Sequence, residues 1–286
     1  MNNSTPAISV VIATLGGTSL AKTVKTLNSS SLVPSEILVC IPEQYCSRVR
    51  DIHDANVRVI TTSFMGQVAQ RAEGFRQAKE VLVMQLDDDI ELRADTLQIM
   101  VAALCRLGRM NAVGPIFINI KTGEPLSPFP VGLQGGLINL YYFLLGGLPF
   151  GKPRMGCLSS LCVTSSIDPI HFSANDVVRT EWLAGGCVLS YRKDLIQENF
   201  FPALGKAYAE DVLHSHLRTK LGITHNVVCD ARAKIELPTN ALNWRDFLQE
   251  MRVRIKIVKI MQGSILRKII YLFFEIVRRM LWGLRL

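Results

Sequence analysis

Short apolar runs alternate with amphipathic segments over the first half of the chain. Residues 8–14 (ISVVIAT) and 81–86 (VLVMQL) are nearly continuous apolar runs, the pattern of strands covered on both faces. Segments with apolar residues at helical spacing, such as Leu20, Val24 and Leu27, lie between such runs. This alternation predicts an α/β fold with a mostly parallel central sheet flanked by helices, in which ligands bind beyond the carboxyl ends of the strands.

The predicted elements continue into the second half of the chain. The predicted strands are residues 8–14, 36–41, 57–61, 81–86, 112–118, 186–191 and 223–228, and predicted helices begin near residues 18, 68, 95 and 210. Residues 125–151 carry no charge and include GLINLYYFLLGGLPF. A membrane span needs roughly 20 apolar residues, and Gly146, Gly147 and Pro149 interrupt this run. We therefore expect a loop or hairpin near a bound substrate rather than a span.

The end of the chain is basic and amphipathic, and its last segment reads ILRKIIYLFFEIVRRMLWGLRL. On a helical wheel the charged residues gather on one side of this segment and the apolar residues on the other. One interpretation is a helix that packs on the domain or on another subunit. The other is an in-plane anchor on an acidic membrane surface, which the aromatic residues Phe273, Phe274 and Trp282 favour.

Composition narrows the cellular setting. The 286 residues carry a net charge of +8, which suits a partner rich in anions. Because basic residues cluster in the tail, we expect an acidic membrane rather than nucleic acid, and the oligomeric state stays open. The seven cysteines contain no CxxC pair, and the N-terminus lacks the basic region of a signal peptide. We expect a cytoplasmic protein, peripherally associated with the inner face of the cell membrane.

Three adjacent acids, Asp87, Asp88 and Asp89, follow the predicted buried strand 81–86. Neighbouring carboxylates repel one another unless they share a cation. Mg²⁺ or Mn²⁺ accepts a few carboxylate oxygens and keeps places for substrate phosphate, and the alternate residues Asp87 and Asp89 can turn toward one ligand. A solvated acidic turn is the alternative, but the buried strand before the acids favours a metal site.

A second acidic pair, Glu210 and Asp211, opens a predicted helix in AYAEDVLHSHLRTKLG. Acids at a helix N-terminus are ordinary dipole partners, with an effect of about 0.3–1 kcal/mol. An acid directed into a cleft can instead accept a proton from a substrate hydroxyl. The position of this helix in the fold must decide between these roles.

Four segments, in the order in which they occur, resemble the family-2 glycosyltransferases, which are inverting enzymes of the GT-A fold. They are ISVVIATLGGTSLAKTVKTLNSSS, GQVAQRAEGFRQAKEVLVMQLDDDIEL, EWLAGGCVLSYRKDLI and AEDVLHSHLRTKLG. The resemblance covers roughly residues 8 to 230. It implies a glycosyltransferase domain over residues 1–245, with a donor-binding half of about 1–118 and an acceptor half of about 119–245, followed by the tail at 246–286.

The resemblance also implies roles for individual residues. The implied nucleotide-sugar ligands are Thr14, Glu43, Arg71, Asp87 and Asp88; the implied floor beneath donor and acceptor is Trp182, Gly185 and Gly186, with Glu210 beside it. Asp89, with Asp87, would hold Mn²⁺ or Mg²⁺, and Asp211 would be the catalytic base. His225 is a candidate additional metal ligand, although a lone histidine is more often structural.

The implied reaction moves one sugar from a nucleotide-sugar donor to a lipid-linked or saccharide acceptor, as in the synthesis of cell-surface polysaccharide or glycolipid. The QxxRW signature of processive relatives is absent. Asn243-Trp244-Arg245 matches it only in part. Two alternatives remain. A nucleotidyltransferase would want a basic, glycine-rich phosphate loop, and TLGGTSLAKT offers only Lys22. A catalytically silent membrane-bound scaffold would not need the acids at 87, 89 and 211.

Overall fold

The computed structural model describes residues 6–126, 129, 131–203, 206–236 and 244–282. The strands are β1 Ile8–Ala13, β2 Glu36–Pro42, β3 Val57–Thr62, β4 Leu82–Leu86, β5 Glu91–Leu92, β6 Asn111–Asn119, β7 Val177–Thr180, β8 Cys187–Tyr191 and β9 Thr224–Ile235. The helices are α1 Leu20–Asn28, α2 Gln67–Gln77, α3 Thr96–Leu107, α4 Gly132–Tyr141, α5 Glu210–Lys220, α6 Trp244–Ile260 and α7 Ile265–Trp282.

These strands form one sheet in the order β3-β2-β1-β4-β8-β6-β9-β5, with β7 also paired to β9. The first four strands are parallel, so β1, β2, β3 and β4 all end at the same edge. Strand β8 runs antiparallel between β4 and β6, and β6 is parallel to β9. The predicted α/β fold with a mostly parallel sheet is confirmed.

Helices cover both faces of the parallel half of the sheet, because successive side chains of a strand point to opposite faces. Val10 and Ile12 of β1 pack in one apolar cluster with α1 and α3, whereas Val11 packs in another with α2. This two-sided burial explains why residues 8–14 are apolar almost throughout. Helix α2 approaches β1 and β2 closely at Gly74, where an added Cβ would overlap Val11 Cγ1 and lie 2.7 Å from Cys40 Sγ.

The segment 125–151 differs from the predicted loop or hairpin. It contains α4, and a π-helical turn over Tyr142–Gly146 follows directly. Its glycines hid the helix from pattern reasoning, because Gly is a poor helix former. Within the described ranges, every helix is too short or too polar to cross a bilayer.

The C-terminal segment forms two helices, α6 and α7, separated by a turn at residues 261–264. Val253, Ile257 and Val258 of α6 pack in one apolar cluster with Val212 and Leu213 of α5. The predicted tail therefore contacts the helix that begins at Glu210. Asn243 and residues 283–286 lie outside the described residues.

Replacing Gly74 with alanine tests the close contact between α2 and the sheet. Alanine normally stabilises a helix interior by up to about 1 kcal/mol relative to glycine. At position 74 we expect Gly74→Ala to lower the free energy of unfolding by about 1–3 kcal/mol, because the methyl group has no room. Gly136→Ala in α4 is the control, since nothing lies within 4 Å of its added Cβ. Urea unfolding of both variants measures the difference, and equal stabilisation would mean that α2 packs more loosely.

Candidate active site

A cleft of about 440 Å³ opens at the carboxyl edge of the sheet, where the parallel and mixed halves meet. It contains six of the residues that the sequence resemblance assigned to the site, namely Asp87, Trp182, Gly185, Gly186, Glu210 and Asp211. These residues come from the end of β4, the segment before β8, and the start of α5. The structure thus brings the first acidic cluster and the second acidic pair to one cavity.

The acids after β4 are held by hydrogen bonds from the end of β1 and from α1. The hydroxyl of Thr14 donates to Asp88 Oδ2, and Thr23 donates to the backbone carbonyl of Asp88 at 2.8 Å. Thr14 Oγ1 also accepts the backbone N–H of Gly16 at 2.9 Å, which shapes the turn after β1. Burial raises the pKa of Asp88 above its ordinary value, although the Thr14 hydrogen bond opposes this shift.

Arg71 of α2 connects the two acidic groups. Its guanidinium donates to Asp87 Oδ1 through Nη2 and to Glu210 Oε1 through Nη1. The Arg71 side chain is 3% exposed and that of Glu210 is 8% exposed. Burial disfavours the charge on Arg71, but the two carboxylates outweigh burial and raise its pKa. The guanidinium is therefore a fixed positive charge between the end of β4 and the start of α5.

Gly185 and Gly186 form the floor between those elements. A Cβ at Gly185 would overlap Glu210 Oε1 and lie 3.2 Å from Asp211 Cβ. A Cβ at Gly186 would lie 2.6 Å from Ile90 Cδ1 and 3.1 Å from Asp87 Oδ2. Backbone hydrogen bonding fixes the pair, because the Gly186 carbonyl accepts the N–H of Asp87 at 2.8 Å. A side chain at Gly185 would displace Glu210, and one at Gly186 would displace Ile90 and crowd Asp87.

Asp211 stands half-buried in the first turn of α5, and its Oδ1 accepts the Val212 N–H at 2.9 Å. Burial raises the pKa of Asp211 to about 6, and the neighbouring charge of Glu210 adds to the effect. Ala209, just before the helix, has a φ of 54°, in the left-handed region that non-glycine residues rarely adopt. Such strain clusters at functional sites.

Asp89 is the most exposed of the three acids after β4, and within the described part of the chain no other side chain bonds to it. Burial and then the charges of Asp87 and Asp88 raise its pKa, so a cation here would relieve repulsion. Among the described residues, no three or more metal-ligating side chains are arranged so that they alone could hold an ion. The donor set fits a divalent ion that takes one or two carboxylates from the protein and its other ligands from phosphate and water.

Glu43 and His225 lie apart from the cleft. Glu43 is exposed just after β2 and lines a separate groove with Thr62, Phe64 and Met65. His225 is buried in β9 and lines another cavity together with His216. Burial lowers the pKa of His225 to about 3, so its imidazole is neutral. The structure does not bring His225 into the cavity that holds Asp87 and Asp211.

Three glutamines that sequence reasoning overlooked support the site. Gln67 donates to Asp87 Oδ1 at 2.9 Å, and Gln70 donates to the backbone carbonyls of Thr14 and Cys40 at 2.9 and 2.8 Å. Gln85, in the middle of β4, donates to the Gly185 carbonyl. Two signals were available in the sequence. Gln67, Gln70 and Arg71 share one helix face, and Gln85 is the single polar residue of an otherwise apolar strand.

Comparison with known proteins agrees with this architecture. Residues 10–135 match the family model described as Glycosyl transferase family 2, so the sequence resemblance is confirmed over that range. No curated protein matches the chain. A structure of GalNAc-T7 with UDP, GalNAc and Mn²⁺ superimposes with a TM-score of 0.60 and 17% identity, over 82% of this chain and 45% of that one.

A mannosyltransferase from Pyrobaculum calidifontis, PcManGT, solved with GDP-Man and Mn²⁺, is also similar. It superimposes with a TM-score of 0.55 and 15% identity, over 92% of this chain and 66% of its own. The chain thus spans less than two thirds of the length of either protein. At these identities the likeness establishes the GT-A fold.

Removing the Arg71 guanidinium tests its role as the bridge. Arg71→Met leaves the buried carboxylate of Glu210 without its cation, and we expect a loss of about 2–4 kcal/mol in the free energy of unfolding. Arg76→Met on the same helix is the control, because its pair with Glu73 is exposed and its loss costs about 0–1 kcal/mol. Urea unfolding at pH 7.5 compares them, and similar losses in the two variants would contradict the bridge.

Proposed function

We propose that this chain is an inverting, metal-dependent glycosyltransferase that adds a single sugar from a nucleotide-sugar donor to a lipid-linked or saccharide acceptor. The observation that carries the proposal is the cleft where Asp87, the glycine floor and Asp211 meet. The family match over residues 10–135 supports a sugar-transfer role. The two similar structures contain UDP or GDP-Man together with Mn²⁺, which supports a nucleotide-sugar donor and a divalent ion.

The donor would lie across the carboxyl ends of β1, β2 and β4. Thr14, Glu43 and Asp88 follow these strands and are proposed to face the nucleotide, with Asp87 toward the ribose. Arg71 has a different part in this proposal, because both ends of its guanidinium already hold carboxylates. It fixes the orientation of Asp87 rather than contacting phosphate. Trp182, Gly185 and Gly186 would lie beneath the sugar.

Asp211 is the proposed base, and Arg71 supplies the reason for choosing it over Glu210. Both acids line the cleft, but the carboxylate of Glu210 is already held by the buried guanidinium of Arg71, whereas Asp211 has no such ion pair among the described residues and burial raises its pKa to about 6. Asp211 removes the proton from the acceptor hydroxyl as that oxygen attacks the anomeric carbon. The bond from the anomeric carbon to the diphosphate oxygen breaks on the opposite face, and the nucleoside diphosphate leaves. One displacement inverts the configuration.

Asp89, together with Asp87, would hold Mn²⁺ or Mg²⁺. A divalent ion there supplies positive charge against the negative charge that develops on the leaving diphosphate. Asp89 suits this role because its carboxylate is exposed and has no side-chain partner in the described ranges. His225, buried beside another cavity, has no part in the proposal as an additional ligand.

The acceptor side is proposed to meet an acidic membrane through the C-terminal helices, which favours a lipid-linked acceptor. The segment 244–282 carries nine Lys and Arg residues against three Asp and Glu residues. Anionic headgroups attract such clusters, at about 1 kcal/mol for each basic residue near the surface. The protein would then act in the cytoplasm at the inner face of the membrane, in polysaccharide or glycolipid synthesis.

Changing Asp211 to asparagine tests the base assignment. After a thermal-shift screen has identified the donor, Asp211→Asn should retain binding of the nucleoside diphosphate but lose about 10²–10⁴-fold in turnover, measured as slow donor hydrolysis. The carboxylate is the active form, so kcat/KM of the unaltered protein should fall as the pH drops through about 6. The residual rate of Asp211→Asn should show no such inflection. Undiminished turnover by this variant would remove Asp211 from the mechanism.

Changing Asp89 to alanine tests the metal assignment. Titration calorimetry with UDP and with GDP, each with and without Mn²⁺, measures how much the ion strengthens binding. We expect Asp89→Ala to remove most of the Mn²⁺-dependent gain, an effect of at least about tenfold in Kd. Asp54→Ala is the control, because Asp54 is an exposed carboxylate bonded to Asn28 near the opposite edge of the sheet. The same Mn²⁺ dependence in both variants would exclude Asp89 as a ligand.

A further inference from the structure

Helix α7 buries Tyr271 and Leu272 against the protein but presents a broad row of other apolar side chains to the outside. Leu266, Ile269 and Phe273 are 70%, 51% and 60% exposed, whereas Lys268 and Glu275 are 1% and 7% exposed. A surface helix of a water-soluble domain has the opposite arrangement, with its apolar stripe on the core and its charges in solvent. The orientation of α7 therefore calls for a partner on its outer side.

Polar contacts on the inner side hold α7 in this orientation. Glu275 accepts a hydrogen bond from the hydroxyl of Tyr141 at 3.2 Å and another from Arg278 Nε at 3.1 Å. The ammonium group of Lys268 lies 4.9 Å from the centroid of the Tyr271 ring. Arg267 donates to the carbonyl of Leu144 at 2.9 Å. The contacts of Glu275 with Arg278 and of Lys268 with Tyr271 lie within α7 itself. Rotating the helix to bury its exposed apolar residues would break the contacts to Tyr141 and Leu144, so the exposed face is part of the packed structure.

Helix α4 and the turn after it extend the same apolar surface. Leu133, Leu137, Leu140 and Leu144 follow one another at helical spacing, and all are exposed, Leu133 to 93%. The contacts from Tyr141 to Glu275 and from Arg267 to Leu144 place the two helices side by side. We call this the paired-helix surface; it comprises Leu133, Leu137, Leu140, Phe143, Leu144, Phe150, Leu266, Ile269, Ile270, Phe273 and Phe274.

The charges around this surface identify its partner. Between Glu124 and Asp168 the chain carries two charged residues, Lys152 and Arg154; both are basic, and Lys152 is exposed whereas Arg154 is buried. On α6 and α7, Arg252, Lys256 and Arg267 are exposed. A broad aliphatic and aromatic surface with a basic rim matches the acyl boundary and the headgroups of an anionic bilayer.

We propose that the paired-helix surface lies in the plane of an anionic lipid bilayer, with the leucines of α4 and the apolar face of α7 inserted together. The membrane contact thus has two parts that are far apart in sequence. A single weak insertion gives only marginal, reversible membrane binding. Two apolar elements together with flanking cations would bind the bilayer more stably.

The paired-helix surface adjoins the cleft. Binding of a bilayer to this surface would therefore influence which acceptor reaches the cleft. Leu161 and Val163 pack against Tyr271 and Leu272 of α7, and the chain continues from there to Ser165 and Ser166 in the cleft wall. A bilayer on the paired-helix surface would present an acceptor from the membrane side. The step from bilayer binding to a lipid-linked acceptor rests on the proposed glycosyltransferase function; the binding itself does not.

Co-flotation with vesicles tests the inference on the full chain. The unaltered protein should float with vesicles of phosphatidylglycerol and phosphatidylcholine, and less with phosphatidylcholine alone. Leu133→Asp with Leu137→Asp in α4, and separately Phe273→Asp in α7, should each reduce partitioning by about tenfold or more. Leu221→Asp is the matched control, because this exposed leucine lies beyond the far end of α5. Circular dichroism establishes that each variant is folded.

Two results would overturn the proposal. One is flotation of the α4 double variant as efficient as that of the Leu221→Asp control. The other is failure of the unaltered protein to float while sedimentation shows a dimer that Phe273→Asp dissociates, since a second copy would then cover the surface. Donor hydrolysis without lipid is measured in parallel. Flotation without hydrolysis would reject the glycosyltransferase function and leave the membrane surface standing, and hydrolysis without flotation would do the reverse.

Discussion

The buried guanidinium of Arg71 is the interaction on which the site depends. It joins Asp87 at the end of β4 to Glu210 at the start of α5, residues that come from the two halves of the chain. A buried carboxylate without a cation is costly, so the two elements are held at a fixed separation by the same charge. Arginine suits this position because its planar fork binds two carboxylates at once and keeps its proton.

That bridge also separates the roles of two adjacent acids. Both acids line the cleft, but Glu210 is ion-paired with Arg71, while Asp211, one residue later, has no ion pair in the described part of the chain and burial raises its pKa. Keeping Asp211 charged at neutral pH lowers the stability of the folded state, because its proton is bound more tightly there than in the unfolded chain. The site thus combines three features that lower the stability of the folded state: the glycine floor, the strained backbone of Ala209 and this carboxylate. A catalytically silent scaffold would have no use for them.

The parallel half of the fold could be predicted from the sequence, because the apolar pattern that indicates each strand lies within a short stretch of residues. Residues 8–14 and 81–86 are apolar on both faces, and the three acids follow the second run directly. The bridge from Arg71 to Glu210 was not readable in this way, since these residues are 139 positions apart and their pairing depends on the strand order. Helix α4 was missed because its glycines weaken the helical pattern. A helical wheel divided α7 into two faces but contains no information on which face meets the protein.

Charged side chains are ordinarily exposed and apolar side chains ordinarily buried. Two regions of this molecule depart from that rule, and specific contacts stabilise both departures. At the cleft, charge is buried, and Arg71 compensates it. On α7, apolar side chains face outward, and the contacts from Glu275 to Tyr141 and from Arg267 to Leu144 hold the helix in this orientation. Departures from local rules that are held in place by specific contacts are expected at functional surfaces. Leu161 and Val163 pack against α7, and the chain leads from them to Ser165 in the cleft wall. The two regions therefore adjoin, which is the arrangement that a membrane-derived acceptor requires.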